Sequence, residues 1–507
     1  MSVESREGGL GAQNEAEEVK LPEGWAWATV SDLLVGSDAG KSFKCEPRPA
    51  APEEWGIIKV SAMTWGEFRA AENKALLDST LVNPNYEVQP GDILVSRANT
   101  VEHVGAPVLV GDVRPRLLLS DKSLRFTPGS TVNRNWLVYW LRSPAVRKAI
   151  AAKASGTSDS MRNISQSDLK ALTLPVPPTA EQHRIADALD SGLARLDEID
   201  HTVARARTHT AALRKQLLLD AIPERDNWPE GWQAETVGKA GTVSLGKARH
   251  PDWHTGPKMR PYLRVANVFE DRIDTTSLME MDFSEEFNKY RLLPGDILLN
   301  EGQSPHLVGR SAMYKGTPEG VAFTNSLLRF RARGDVLPGW ALLVFRRHLH
   351  AGRFMREVRI TTNIAHLSAS RLKAVEFPVP PLDEQRRLIT EVKRRLARAD
   401  ALDRLLDSAE TNGTALRRTL LAEAFVGRLV PQDPHDEPAE DLLKRIRAER
   451  EAAEAERKQA RRAANQSRRQ KKQGAAERPA TAALPAPASH TPLPEGKQTT
   501  LPLEFTE

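Results

Sequence analysis

Two hydrophobic patterns alternate along the chain. Up to about residue 176, short apolar runs stand between Gly, Pro and Asn breaks: Trp55–Val60, Asp92–Ser96 and Leu117–Leu119. They predict strands, and Trp136–Ile150 predicts a short helix in the same globule. After Pro177-Pro178 the period changes. Ile185, Leu189, Gly192, Leu196, Ile199, Val203, Ala206, Thr210, Leu213 and Leu217 follow in steps of four and three. Pro177-Pro178 stops the preceding structure, and Thr179 can cap a helix opened by Ala180-Glu181. A 3.5-residue spacing sustained over this length predicts a coiled-coil seam.

The succession then repeats. Tyr262–Val268, Asp296–Asn300 and Ser326–Phe330 predict strands, and Trp340–Val358 a helix. The second seam reads Leu388, Val392, Arg395, Ala399, Leu402, Leu406, Ala409, Gly413, Leu416 and Leu420, with Arg395 and Gly413 as its exceptions. Words recur with the pattern. Pro22-Glu23-Gly24-Trp25 returns as Pro229-Glu230-Gly231-Trp232, and Pro90-Gly91-Asp92-Ile93-Leu94 as Pro294-Gly295-Asp296-Ile297-Leu298. Leu124-Arg125-Phe126 returns as Leu328-Arg329-Phe330. Pro175-Val176-Pro177-Pro178 with Glu181-Gln182 returns as Pro378-Val379-Pro380-Pro381 with Glu384-Gln385. Order is kept and the offset drifts only from 207 to 203, so these are two similar units in tandem and not a solenoid.

The expected architecture is α+β: two tandem repeated, mixed α/β domains, separated and followed by long helices that pair as an antiparallel coiled coil. The expected boundaries are a disordered extension over 1–19, a first domain over 20–176 and a helix over 177–222. A second domain over 226–379 and a second helix over 380–430 follow. A tail over 431–507 is basic and helical at first, then disordered. A helix of about 40 residues spans roughly 60 Å at 1.5 Å per residue.

Composition adds limits. Of 507 residues, 40% are hydrophobic and 27% charged, as in a soluble globular protein. No apolar stretch is long enough for a membrane span, and the N-terminus lacks the look of a secretory signal. The single cysteine, Cys45, excludes a disulfide framework and suits a reducing cytoplasm. The net charge of +5 is local: Arg457–Arg478 holds nine bases and one acid, so the rest of the chain sums to −3. Composition alone therefore names no partner.

Catalytic constellations are missing. Asn83-Pro84-Asn85-Tyr86 resembles the Asn-Pro-Pro-Tyr motif of adenine methyltransferases. It departs at the third position, has no Gly-rich cofactor turn before it, and shares only Tyr290 with the second unit. Gly36-Ser37-Asp38-Ala39-Gly40-Lys41-Ser42 resembles a phosphate-binding loop, but Val35 stands where its first glycine belongs. The histidines show no metal spacing; His201 and His209 fall on the long helix. No nucleophile, base and acid can be assembled, and no metal site is expected.

The duplicated Pro-Glu-Gly-Trp start, the Pro-Gly-Asp-Ile-Leu strand and the Pro-Val-Pro-Pro joint leading to Glu-Gln and a long helix resemble the DNA specificity subunit of type I restriction-modification systems. Asn300-Glu301-Gly302-Gln303-Ser304 and Thr362-Asn363-Ile364-Ala365-His366-Leu367-Ser368 are phrases of the same family. The resemblance covers roughly residues 20–430. It implies that each domain is a target recognition domain reading one half of a bipartite double-stranded DNA site, with the helices as spacer. It implies a noncatalytic subunit that binds two copies of an adenine methyltransferase subunit, joined by restriction subunits. S-adenosylmethionine, ATP and Mg would then serve those partners, and no cofactor would bind this chain.

Segments that differ between the units are the expected readers, and shared segments the scaffold. Bases are read by Arg or Lys on guanine, Asn or Gln on adenine and acids on cytosine. Phosphates take Lys, Arg, Ser, Thr and amides. The candidates in unit one are Lys41, Lys44, Arg97, Asn99, Ser158, Arg162 and Asn163. In unit two they are Lys247, Arg249, Glu301, Gln303, Thr361, Thr362 and Asn363. Arg97 and Glu301 share one aligned position with opposite charge, which implies different bases for the two heads. Trp25 and Trp232 are expected to pack. Arg125 and Arg329 suit either scaffold or phosphate, and the basic tail suits DNA, a partner or solvent. Two other readings are a self-contained adenine methyltransferase using Asn83–Tyr86, and a coiled-coil scaffold without DNA binding.

Overall fold

The computed structural model describes residues 20–158, 161–361 and 364–476. The expectations of disorder for residues 1–19 and for the end of the tail fall largely outside them. The protein is mixed α/β with long helices: α1 (Thr179–Ala221), α2 (Leu382–Ala424) and α3 (Ala439–Ala476). Its described residues form two compact units. One takes residues up to Ala186 together with those from Ala424 onward, and the other is Asp187–Glu423.

In the first unit, β1 (Leu34–Ala39), β2 (Ile93–Ser96), β3 (Pro107–Leu109) and β4 (Ser123–Pro128) form an antiparallel sheet in the order β1-β4-β2-β3. In the second unit, β5 (Gly241–Leu245), β6 (Ile297–Asn300), β7 (Ser311–Met313) and β8 (Leu327–Ala332) form one in the order β5-β8-β6-β7. The registers correspond: Leu94 faces Arg125 as Leu298 faces Arg329. A smaller sheet recurs as well. Gly56–Ile58 pairs antiparallel with Asn73–Ala75 and parallel with Leu117–Leu118; Met259–Leu263 does the same with Met279–Asp282 and Ala322–Phe323.

The repeated words close turns. Gly91 and Gly295 lie at φ +84° and +91°, the left-handed region that glycine enters without a Cβ clash. Each follows a proline whose fixed φ suits the preceding turn position. The Asp92 carboxylate accepts from the Gln89 amide at 2.9 Å, and Asp296 accepts from Leu293 at 2.8 Å. The Trp25 indole donates to Glu181 at 2.9 Å, and Trp232 to Glu384 at 3.1 Å. Gln182 accepts from the Asn133 amide and donates to the Pro177 carbonyl; Gln385 accepts from Leu337 and donates to Pro380 and Asp335. The Glu-Gln pair thus ties the start of each long helix to the N-terminus of its domain's buried helix. In the second unit that helix carries Trp340 and Phe345 into a core with Phe330 and Phe377.

Several expectations change. Trp136–Ile150 is two helices, Arg134–Arg142 and Pro144–Lys153, because Pro144 cannot continue the first ladder. The helix expected to Val358 ends at His350, before Gly352 at φ +67°. Tyr262–Val268 breaks after Leu263 into a 3-10 turn held by Asn267. Thr179 makes no cap: the Pro178 carbonyl accepts from the Gln182 amide, so Thr179 is itself the first helical residue and its hydroxyl has no partner among the described residues.

The seam is narrower than expected. Leu189, Leu196 and Val203 on α1, and Val392 and Leu406 on α2, are buried, Ile185 is buried at the start of α1, and Leu217, Leu388 and Leu420 are half-buried. Ile199, Leu213, Leu402 and Leu416 are 40–49% exposed. One heptad position is covered; the other, which begins at Ile185 and Leu388, opens to solvent at Ile199, Leu213, Leu402 and Leu416. Arginines flank the covered row. Arg207 pairs with Asp407 and Glu410, Arg214 with Asp400 and Asp403, and Arg417 with Asp197 and Asp200, all at 2.6–2.8 Å. As the α1 partner rises in number the α2 partner falls. Arg214 and Arg417 are repeat-equivalent, and so are Arg207 and Glu410.

α3 belongs to the first unit, and it is neither fully exposed nor irregular. Ala439, Leu442 and Ile446 are buried. The Ala439 amide donates to the Gly24 carbonyl at 2.9 Å, and Glu449 accepts from the Ser130 amide at 2.9 Å. Arg450 donates to the carbonyls of Leu34 and Ser31.

Candidate nucleic-acid interface

A third small sheet in each unit gathers most of the divergent candidates. In the first unit, Ala98–Asn99, Ser155–Ser158 and Met161–Asn163 pair; Arg162 lies opposite Asn99, and Asn163 opposite Ala98. Buried Ser96, Ala98 and Ile164 root the polar strands in the domain, and the Ile164 amide donates to the Arg97 carbonyl at 2.9 Å. The sheet thus joins Arg97 and Asn99 to Ser158, Arg162 and Asn163, some sixty residues apart in sequence. Ser158 and Asn163 are exposed, and Arg97, Asn99 and Arg162 are half-buried. The Asn99 amide reaches Thr64 at 3.4 Å.

The second unit repeats the plan with other side chains. Gly302–Gln303, Arg359–Thr361 and Ile364–His366 pair, with Gln303 opposite Ala365 and Thr361 opposite Ile364. The Leu367 amide donates to the Glu301 carbonyl at 2.8 Å, as Ile164 does to Arg97. The Glu301 carboxylate lies 3.2 Å from the His366 ring. Thr362 and Asn363 lie outside the described residues.

The remaining candidates follow β1 and β5. Lys41 makes a parallel bridge to Ser120, and Lys247 the same bridge to Thr324. Lys41 and Lys44 are exposed, and the Lys41 ammonium stands 5.6 Å from the Tyr86 ring centre. Beside them opens a cleft of about 430 Å³ lined by Lys41, Lys59, Lys74 and Lys122, with Asp121 the acid among them. Burial pushes the Cys45 thiol up there, and Lys74 opposes the shift. The Arg97 amide donates to the Lys122 carbonyl at 3.0 Å, which links this cleft to the third sheet. Sequence reading missed Lys59, Lys74 and Lys122 because each stands singly; strand pairing brings them together.

Lys247 departs from its expected role. It is 5% exposed, its ammonium 2.9 Å from Glu286 and 4.5 Å from the centre of the Trp253 ring. That bond holds the Glu286 carboxyl below its usual range. A cation fixed by a carboxylate and a ring face is part of the scaffold, which leaves Arg249 as the exposed base of that loop. Arg125 is scaffold too. It meets Asp38 and Asp92 and donates to the carbonyls of Asn85 and Glu87. Arg329 donates to the Arg291 carbonyl and lies over Phe323.

The two motif resemblances are a turn and a strand. The Asn83 side chain accepts from the Asn85 amide, closing a 3-10 turn over Pro84–Tyr86. Gly36–Ala39 lies within β1, and no helix follows to receive a phosphate. Among the described residues no three His, Cys, Asp or Glu side chains group as a metal would require, and no helix is long and apolar enough to cross a membrane.

Comparison with known proteins finds relatives of one kind. The family described as "Type I restriction modification DNA specificity domain" matches residues 22–203. The specificity subunit of the type I restriction enzyme StySPI from Salmonella potsdam is 26% identical over 85% of this chain and 96% of its own length. That of EcoKI from Escherichia coli K12 is 24% identical over 86% and 97%. The EcoEI specificity subunit from Escherichia coli is 33% identical, over 40% of this chain and about a third (34%) of its own. Among solved structures, one from a study of type I complex assembly and conformational transition shares the fold, with a TM-score of 0.64, 19% identity and coverage of 81% and 99%. The HsdS subunit of Thermoanaerobacter tengcongensis gives 0.53 at 19% identity, covering 81% and 98%. Over most of its length the chain is thus similar to DNA specificity subunits of type I restriction-modification systems, and residues 22–203 match the specificity domain of that family.

Proposed function

We propose that the two units carry tandem target recognition domains that read the two different halves of a bipartite, asymmetric double-stranded DNA target. One observation carries this reading. Equivalent three-stranded sheets present Arg97, Asn99, Arg162 and Asn163 in one unit and Glu301 and Gln303 in the other. Arginine suits guanine, asparagine and glutamine suit adenine, and glutamate suits cytosine, so unlike sets on like frames call for unlike half-sites. The exposed Lys41, Lys44 and Arg249, with the lysine cleft of the first unit, serve the phosphates.

α1 and α2 act as the spacer, an antiparallel coiled coil whose length fixes the gap between half-sites; 43 residues at 1.5 Å each span about 65 Å. The chain is noncatalytic and holds no cofactor. It positions two methyltransferase subunits, which use S-adenosylmethionine, and restriction subunits that use ATP and Mg, in the cytoplasm.

The test is modified-base sequencing of cells in which residues 20–176 are exchanged for those of a relative. One half of the methyl-adenine motif changes and the other half and the gap stay. A change in both halves, or in neither, refutes the two-headed reading.

A further inference from the structure

α3 changes character at one point. Residues 439–456 hold six acids and four bases; residues 457–476 hold eight bases and no acid. The first stretch is fastened to the first unit, and its contacts advance along β1 as the helix advances. Arg450 reaches the carbonyls of Ser31 and Leu34. One β1 step later, the Arg457 guanidinium lies against Gly36, where an added Cβ would meet it at 3.0 Å. β1 ends at Ala39, and Lys41 and Lys44 follow. The basic stretch therefore begins where the helix draws level with the strand that delivers those lysines.

That stretch has no large apolar residue to pack on a protein surface. Twenty helical residues extend about 30 Å, and duplex DNA carries one phosphate charge per about 1.7 Å of axis. We propose that residues 457–476 form a clamp on the DNA backbone beside the half-site read by the first domain, adding affinity without sequence preference. The proposal rests on the DNA-reading role above, and goes beyond it by giving this helix a ligand of its own. α3 then has two tasks: Leu442, Ile446, Glu449 and Arg450 fix its direction, and the bases beyond them meet phosphates.

The experiment compares three complexes with the methyltransferase partner: the full chain, a chain ending at Glu456, and a full-length chain with the eight bases of 457–476 changed to Gln. Affinity for a duplex with the motif and for a scrambled duplex is measured from 50 to 200 mM KCl, and motif methylation is scored in parallel. Loss of four to eight phosphate contacts lowers the slope of log K against log salt by about 4 to 7, and at 50 mM weakens both duplexes by a similar factor of at least about 100. The methylated motif stays the same. An unchanged slope in both variants overturns the clamp. Failure of either variant to assemble with its partner overturns it in favour of a protein-docking helix. If the full-length complex binds no duplex at any salt, the DNA-reading role fails and the clamp with it.

Discussion

Gln385 is fully buried and fully used. Its carbonyl accepts from the Leu337 amide at 2.8 Å, and its amide donates to the carbonyls of Pro380 at 2.8 Å and Asp335 at 2.9 Å. Leu337 is the N-cap of the helix that carries Trp340 and Phe345. Gln385→Leu keeps the volume and removes all three bonds. A buried backbone group left without a partner costs about 1–3 kcal/mol. One lost amide partner and two weakened carbonyls together cost about 3 kcal/mol on that scale. A unit of this size melts about 2–4 °C lower per kcal/mol, so its Tm falls by about 6–12 °C. Calorimetry of the full chain reads this as a shift in one of two transitions, since two units need not melt together. Gln182→Leu is the internal control. Gln182 makes two such bonds, both at 3.0 Å, so its loss is smaller and moves the other transition. A Gln385→Leu shift below about 2 °C, or both variants moving the same transition, refutes the assignment of the Glu-Gln word to helix anchoring.

Other consequences are equally open to measurement. Arg214→Glu sets three carboxylates together with Asp400 and Asp403; helicity and thermal stability drop, and adding Asp400→Arg and Asp403→Arg recovers them, as circular dichroism will show. Burial pushes the His348 imidazole below its ordinary value, and Arg347 and Arg353 oppose its protonation. The unfolded chain takes up that proton below about pH 6.5 and the folded chain does not, so stability falls with pH by up to about 1.4 kcal/mol per unit. Melts from pH 8 to 5 show that slope, and His348→Gln flattens it. Arg97→Ala relaxes the motif in the first half-site only and Glu301→Gln in the second only, each by about 1–3 kcal/mol of discrimination in competition binding.

The repeat was legible because its words are turns and anchors, which depend on local chemistry. Pro-Gly-Asp needs a left-handed glycine and a carboxylate that hooks back, and Glu-Gln needs one indole and one helix start. The third sheets were legible only as divergence. Nothing local says that Asn99 will face Arg162, because a two-residue strand has no period of its own. Lys247 misled for a related reason: its carboxylate partner, Glu286, comes from 39 residues away in sequence. The seam failed at Ile199, Leu213, Leu402 and Leu416 because an apolar heptad position shows preference for burial, not the number of helices available to supply it. The anchoring of α3 was hidden in two apolar residues, Leu442 and Ile446, within a charged stretch.

Arg207 and Glu410 occupy the same place in the two repeats and face each other, with Glu410 2.8 Å from Arg207. A residue at that place meets its own counterpart. Were the repeats identical, arginine would oppose arginine or glutamate would oppose glutamate. The ancestral duplication has therefore drifted, at this position, into a lock and key. A half-length chain carrying only one of the two helices would therefore meet repulsion here in pairing with a copy of itself and attraction in pairing with the other half.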